Sequence, residues 1–388
     1  MASSIVVPIV RIEKVRSHPN ADKLELCNVL GFQMCIPKGK HKSGDICVYV
    51  PADSLVPNDW AEKWGVLPYL KGQEKNRVGR VRLRGEPSFG LIVDMSWLPG
   101  SDKPYNVGDN VADCFGIKKY EHPVKAVSSD AAAYDSDIDP YVSRYTDIEN
   151  GRVFTEVFRE GEEVVATEKI HGTNCKVGFV RVGDEWIPVA GSMGVRRKRP
   201  MRPTWTPQSW LERLYVRLFG MKYVEADFDD REIRGSTYWS PFALPSVRVL
   251  LMRLCDCAER SVLLYGEVFG PCVQNLHYGV TAVEGFRFRA FDICIDGKFL
   301  NWVEFSDLCG EVGVPVVPVV YRGAFSFEDI KKAADGRSTL PGADNIREGV
   351  VVKPVVERVD SKVGRAVLKF IGTEYELSKK DEDDCKDV

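Results

Sequence analysis

Short β-patterned runs, rather than long helical ones, recur along almost the whole chain, and this constrains the fold more than any other feature. Over residues 1–120 they read VVPIVRIEKV, LELCNVL, FQMCIPKG, DICVYVPADS and RVRLRGEPSFGLIVDM, separated by turn residues at Pro19-Asn20, Gly39, Gly44-Asp45 and Gly85 to Ser88. Roughly five strands in such a length predict a small barrel, most commonly an OB-fold. Residues 121–144, EHPVKAVSSDAAAYDSDIDPYVSR, are rich in Ser, Ala and Asp without apolar periodicity and read as a linker. Residues 145–377 mix both periods. Strands are expected at EEVVATEK, CKVGFVRV, WIPVAG, SVLLYGEVFG, FRFRAFDICI, REGVVVKPVV and RAVLKFIG. Helices are expected from Thr206, with Pro207 at the first position and Trp210, Leu214 and Leu218 on one face; over Ala243–Ala258; and from Ser326, with Asp329 closing a capping box. Strands outnumber helices and many pair as hairpins, so the predicted class is α+β with largely antiparallel sheets. Residues 378–388 form a charged tail.

A chain of 388 residues predicts two domains, and 44% hydrophobic with 28% charged residues suits a water-soluble core. The net charge of -3 carries no global basic signal, so any nucleic-acid surface must be local. No apolar run approaches the roughly 20 residues of a membrane span. The start, MASSIVVPIVRIEKV, lacks the pattern of a secretion signal, so an intracellular protein without membrane or evident protein partner is expected. Eleven cysteines are scattered through strand-like contexts without any CxxC, which argues for reduced, buried thiols over zinc or disulfides.

Thr167 to Asn174, TEKIHGTN, place a charged lysine, Lys169, at the end of the strand-forming run GEEVVA. A lysine entering a half-buried position loses solvation, which favours the neutral, nucleophilic amine. The His-Gly-Thr-Asn that follows predicts a tight turn in which glycine lets the backbone approach a ligand. By itself, Lys-x-His-Gly equally fits a lysine snorkelling at a strand end.

Further stretches decide between these readings. KIHGTN resembles motif I of the covalent nucleotidyltransferases, in which the lysine attacks the α-phosphate of a nucleotide. LLYGEVFG with Glu267, FRFRAFDI with Phe288 and Asp292, REGVVVKP with Glu348 and Lys353, and VLKFIG with Lys369 resemble the later motifs, in the same order. The resemblance implies that Glu267 binds the ribose, Phe288 stacks on the base, Lys353 and Lys369 neutralise phosphate charge, and Glu348 takes a Mg²⁺ or Mn²⁺ ion. It also implies that Glu168, Ile170 and Asn174 line the nucleotide and that His171 serves RNA binding or adenylate transfer. EKIHGTN as a whole is similar to the second family of RNA ligases, including RNA-editing ligases. HPNADKLELCNV and RLRGEPSFGL look like the tRNA-binding OB modules of some aminoacyl-tRNA synthetases, either an RNA-binding or a packing module here. An OB module in front, with too little chain after Lys369 for another, resembles the fifth RNA-ligase family. Two departures stand out: Ser192 occupies a place where these ligases often carry arginine, leaving Arg196 as substitute, and Val367 replaces the first lysine of the last motif.

The resemblance implies an ATP-dependent RNA ligase for RNA repair, joining 5′-phosphate and 3′-hydroxyl ends, free or in a nicked or splinted duplex. The rivals are a DNA ligase sealing nicked duplexes and an RNA-binding protein with an inactive transferase domain. Lys169, Glu267, Glu348 and Lys369 together disfavour inactivity.

Overall fold

The computed structural model describes residues 5–72, 74–100, 104–120, 130–204, 223–271 and 273–378. The helix expected from Thr206, with Trp210, Leu214 and Leu218, lies outside these residues, as does the tail from 379 on.

In the N-terminal part, strand Ile46–Val50 pairs antiparallel with both Ile9–Arg11 and Leu91–Asp94. Its side chains alternate between two cores. Val48 and Val50 join Ile9, Val93 and Phe115; Cys47 and Tyr49 join Val10, Met34 and Phe89. ICVYV therefore reads as an unbroken apolar run, because both faces of the strand are buried. Strands Lys14–Ser17, Leu24–Val29 and Phe32–Pro37 form a second antiparallel sheet. Its second turn, Leu30 and Gly31, has φ of 49° and 72°, the left-handed pair that matches strand twist in a tight hairpin. Arg84 and Gly85 repeat that turn at 51° and 87° between Arg80–Leu83 and Glu86–Phe89. The expected barrel is not closed by backbone ladders among the described residues. Side chains span the gap instead: the Gln33 amide donates to the Pro87 carbonyl at 3.0 Å, and the Cys35 N–H to Ser88 Oγ at 3.1 Å.

The rest of the chain builds two sheets that meet at the Lys169 turn. A five-stranded sheet runs Glu149–Asn150, Leu368–Ile371, Gly349–Pro354, Glu163–Glu168, Val319–Ala324. Apart from the parallel first pair it is antiparallel. A six-stranded antiparallel sheet runs Arg196–Arg197, Glu185–Gly191, Thr173–Val182, Ser261–Phe269, Arg287–Ile295, Lys298–Phe299. Residues 169–172 carry the chain from one sheet to the other. Helices Pro245–Cys255 and Trp302–Val312 cover one face of the larger sheet, over Val177, Leu264, Phe288 and Ile293. Helix Phe327–Ala334 buries Ile330 and Ala334 on the smaller sheet, and Ser326 Oγ accepts the Asp329 N–H at its start. Helix Trp302–Val312 was not expected, although its start carries a signature: Asn301 and Glu304 form a reciprocal capping box.

The segment read as a linker is packed over its described part, 130–144. Ile138 and Val142 are buried with Tyr265 and Cys294, and Asp139 receives Arg196 at 3.0 Å. The N-terminal sheets are riveted to the smaller sheet by Arg152, 2% exposed, which donates to the Gly31 and Ile371 carbonyls at 3.2 and 2.8 Å. Its guanidinium lies 5.0 Å over the Phe32 ring.

Candidate active site

Strand Glu163–Glu168 ends at Lys169, whose backbone N–H donates to the Gly349 carbonyl at 2.9 Å. Val164, Val165 and Ala166 are fully buried, so the strand is anchored in core while the lysine side chain emerges, 26% exposed. Its Nζ lies 2.9 Å from Glu348 Oε1, and His171 Nδ1 lies 3.2 Å from Glu348 Oε2. Burial alone would raise the Glu348 carboxyl, but the His171 hydrogen bond and the Lys169 charge outweigh it and hold the group down to about 2. Glu348 is therefore a charged, hard-oxygen donor at neutral pH.

Gly172 is required by contact: a Cβ there would stand 2.3 Å from the Val268 carbonyl oxygen. Its N–H donates to Glu267 Oε1 at 3.2 Å. Burial pushes the Glu267 carboxyl up to about 8; Glu348 adds to this and Lys169 opposes it. A carboxyl titrating there can both donate to and accept from a sugar diol. Asn174 faces Glu267 across the ladder, and its buried side-chain oxygen has no hydrogen-bond partner among the described residues. Burial and the nearby Lys169 lower the Lys369 ammonium.

A cavity of about 830 Å³ lies beside these groups and also reaches Asp53, Lys119 and Tyr120 of the N-terminal part. Lys169, Ile170, Asn174, Glu267 and Lys369 line it. Of the other expected residues, Phe288 and Arg196 are absent from the wall, while Lys353 and Glu168 line it with their charged groups engaged elsewhere. Phe288 lies in the core behind the sheet, its ring over Gly266, while Phe291 lines the cavity. The reason is a bulge: Tyr265 pairs with Asp292 and Gly266 with Ala290, so Phe291 is the extra residue and strand parity changes there. Arg196 is forked onto Asp139 and is absent from the wall, where Arg144, paired with Asp147 at 2.8 Å, stands instead. Lys353 lines the cavity, but its ammonium is committed to Asp292 Oδ1 at 2.5 Å and the Phe291 carbonyl at 2.7 Å, beneath the Trp302 and Phe305 rings. Tyr145 and Arg365 complete the Asp292 shell at 2.5 and 3.2 Å. The Glu168 carboxylate is consumed by the Ser338 hydroxyl and by the Thr339 N–H and hydroxyl, at 2.5 to 2.7 Å, so only its backbone is left for a ligand. The basic run at 196–202 is likewise neutralised, with Arg197, Arg199 and Arg202 on Asp130, Glu225 and Asp227.

A strand-end lysine, paired carboxylates and an unsatisfied amide in one cleft between two antiparallel sheets agree with a family-level match: the RNA ligase model covers residues 162–371. The chain belongs to the RNA ligase family. An OB-fold domain model matches residues 6–95 of this ligase. Among solved structures, a Naegleria gruberi RNA ligase mutant with AMP and Mn aligns over 97% of this chain and 98% of its own, at 24% identity and TM-score 0.58. A mutant of that enzyme with ATP and Mn aligns over 97% of this chain and 99% of its own, at 23% identity and TM-score 0.59. The same enzyme with PPi aligns over 95% and 97%, at 23% identity and TM-score 0.57. These likenesses establish a shared fold along nearly the whole ligase. No curated protein sequence matches it.

Proposed function

We propose that this ligase consumes ATP and joins a 5′-phosphate to a 3′-hydroxyl on RNA. Lys169 Nζ attacks the α-phosphorus, forming a P–N bond and releasing pyrophosphate. An oxygen of the RNA 5′-phosphate then attacks that phosphorus, breaks the P–N bond and takes the AMP as a 5′–5′ pyrophosphate. The 3′-hydroxyl finally attacks the RNA phosphate and expels AMP. The observation that carries this reading is the meeting of Lys169, Glu267, Lys369 and the unpartnered Asn174 oxygen around one nucleotide-sized cavity, with Glu348 paired to Lys169.

Placement in the cavity wall supports the following roles. Lys169 Nζ, 2.9 Å from Glu348 Oε1, turns from that carboxylate toward the α-phosphorus to attack. Lys369, and Arg144 in place of Arg196, meet the phosphates; Glu267 meets the ribose; Phe291, not Phe288, offers a ring to the base. His171, on Glu348, faces the transferred adenylate. Among the described residues no cluster of three or more metal-ligating side chains exists. The charged Glu348 carboxylate, a hard oxygen donor, would suit a Mg²⁺ or Mn²⁺ ion whose other ligands come from phosphate oxygens and water. When bound, such an ion supplies charge neutralisation at the phosphates. No helix among the described residues is long and apolar enough to cross a membrane. Burial raises the Cys27, Cys35 and Cys47 thiols to about 12, which keeps them unreactive.

Incubation with α-labelled ATP, and separately with α-labelled GTP, tests the reading. ATP label should enter the protein and pass to 5′-phosphorylated RNA. Labelling by GTP alone, or label that never leaves for RNA, contradicts it.

A further inference from the structure

Two loops outside the motif residues hold the Lys169 turn at Glu168 and at His171, and we propose that they position the nucleophile, with the Tyr278 hydroxyl as the deciding contact. This rests on the assignment of Lys169 as the attacking amine. The Tyr278 hydroxyl accepts the His171 backbone N–H at 2.6 Å, two residues beyond the lysine. On the near side, Ser338 and Thr339 hold the Glu168 carboxylate, one residue before it. The loops also touch each other: a Cβ on Gly279, at φ +73°, would stand 2.1 Å from the Gly342 carbonyl oxygen. Only glycine permits that approach.

Three further features mark Tyr278 as more than filler. It is a bulky residue in the left-handed region, φ 52°, a conformation that costs free energy and persists where surrounding contacts impose it. Its ring packs edge-on to Phe269 at 5.4 Å, and both belong to one apolar cluster with Ile170, Val317 and Leu340. The cluster thus joins the loop of Tyr278, the loop of Leu340 and the residue directly after Lys169. Tyr278 is not among the residues lining the cavity, so it acts through the turn and is a positioning residue.

A turn held at Glu168 and His171 leaves Lys169 little backbone freedom, and near-attack geometry in the covalent steps depends on that. Sealing of RNA that already carries AMP makes and breaks no bond at Lys169, and should depend on the brace least. Tyr278→Phe removes the acceptor while keeping ring and shape. In the full chain, single-turnover lysyl-AMP formation at saturating ATP should slow about tenfold, as the loss of one positioning hydrogen bond implies. The ATP concentration for half-maximal rate, and the sealing of pre-adenylylated RNA, should each stay within about twofold. An unchanged rate of lysyl-AMP formation overturns the brace and leaves the ligase reading intact. An equal loss in both steps also overturns it, since it marks general structural support. A parent protein that forms no lysyl-AMP overturns the nucleophile assignment itself.

Discussion

Two lysine–carboxylate pairs lie near each other along the same cavity, and they do opposite things. Lys169 and Glu348 meet at 2.9 Å with the lysine 26% exposed, His171 on the second carboxylate oxygen, and open space beside them. Lys353 and Asp292 meet at 2.5 Å with side chains 7% and 1% exposed, enclosed by Tyr145, Arg365, Trp302 and Phe305. A pair that can open beside a cavity can surrender its lysine to chemistry. A pair that would leave a buried charge stranded cannot, because the uncompensated ion costs several kcal/mol. Enclosure, more than pair geometry, separates a reactive lysine from a structural one here.

The sharpest break of this contrast is in stability. Lys353→Ala should lower unfolding free energy by about 3 kcal/mol, because it takes from the buried Asp292 one of its two cations, leaving Arg365. Lys169→Ala should change it by less than about 1 kcal/mol, as for a partly exposed pair. Denaturant titration of both variants checks this, and equal losses would erase the distinction.

A comparable contrast separates the two phenylalanines of one strand. Phe288→Ala should destabilise by about 3–5 kcal/mol, because it empties core. Phe291→Ala should leave stability closer to the parent and weaken ATP use by about 1–3 kcal/mol, the worth of a stacked base. Steady-state ATP dependence beside thermal melts would detect the opposite assignment.

The two cavity carboxyls differ in pH response. Glu267, raised to about 8, favours the folded state while protonated; that contribution is complete below its unfolded value and is lost as pH rises through 8. Glu267→Gln, which cannot ionise, should therefore melt progressively higher relative to the parent between pH 5 and about 8. Glu348, held to about 2, has the reverse sign: its contribution is present above its unfolded value and fades only as pH falls toward 2. Parallel melting curves for Glu267→Gln and parent across this range would refute the raised carboxyl.

The smallest effect concerns the arginines. Arg144→Ala should raise the ATP requirement about tenfold, roughly 1.4 kcal/mol, whereas Arg196→Ala should leave it unchanged. A shift confined to Arg196→Ala would return the phosphate contact to the basic run.

Legibility followed the range of the interactions involved. The Lys169 turn was readable because a strand pattern, a charged residue and a glycine stand side by side in sequence, whereas the strand leading into it pairs with partners 150 or more residues away, at Val319–Ala324 and Gly349–Pro354. Phe291 was not, since the bulge opposite Tyr265 and Gly266 changes face parity without any glycine or proline in the bulged strand. Nor was the commitment of Lys353, whose partner Asp292 lies 61 residues away. Arg196 failed for the same reason: Asp139 reaches it from a segment whose composition reads as linker. The capping box at Asn301 and Glu304 was visible and unread, hidden between strand-like runs.

The most direct test of the central claim is to map the adduct: incubate the parent protein with ATP and a divalent cation, digest it, and locate AMP by mass spectrometry. The account predicts one AMP per chain, on Lys169, none in Lys169→Ala, and none in Lys169→Arg, whose guanidinium stays protonated. AMP on Lys353 or Lys369, or undiminished labelling of Lys169→Ala, would contradict it.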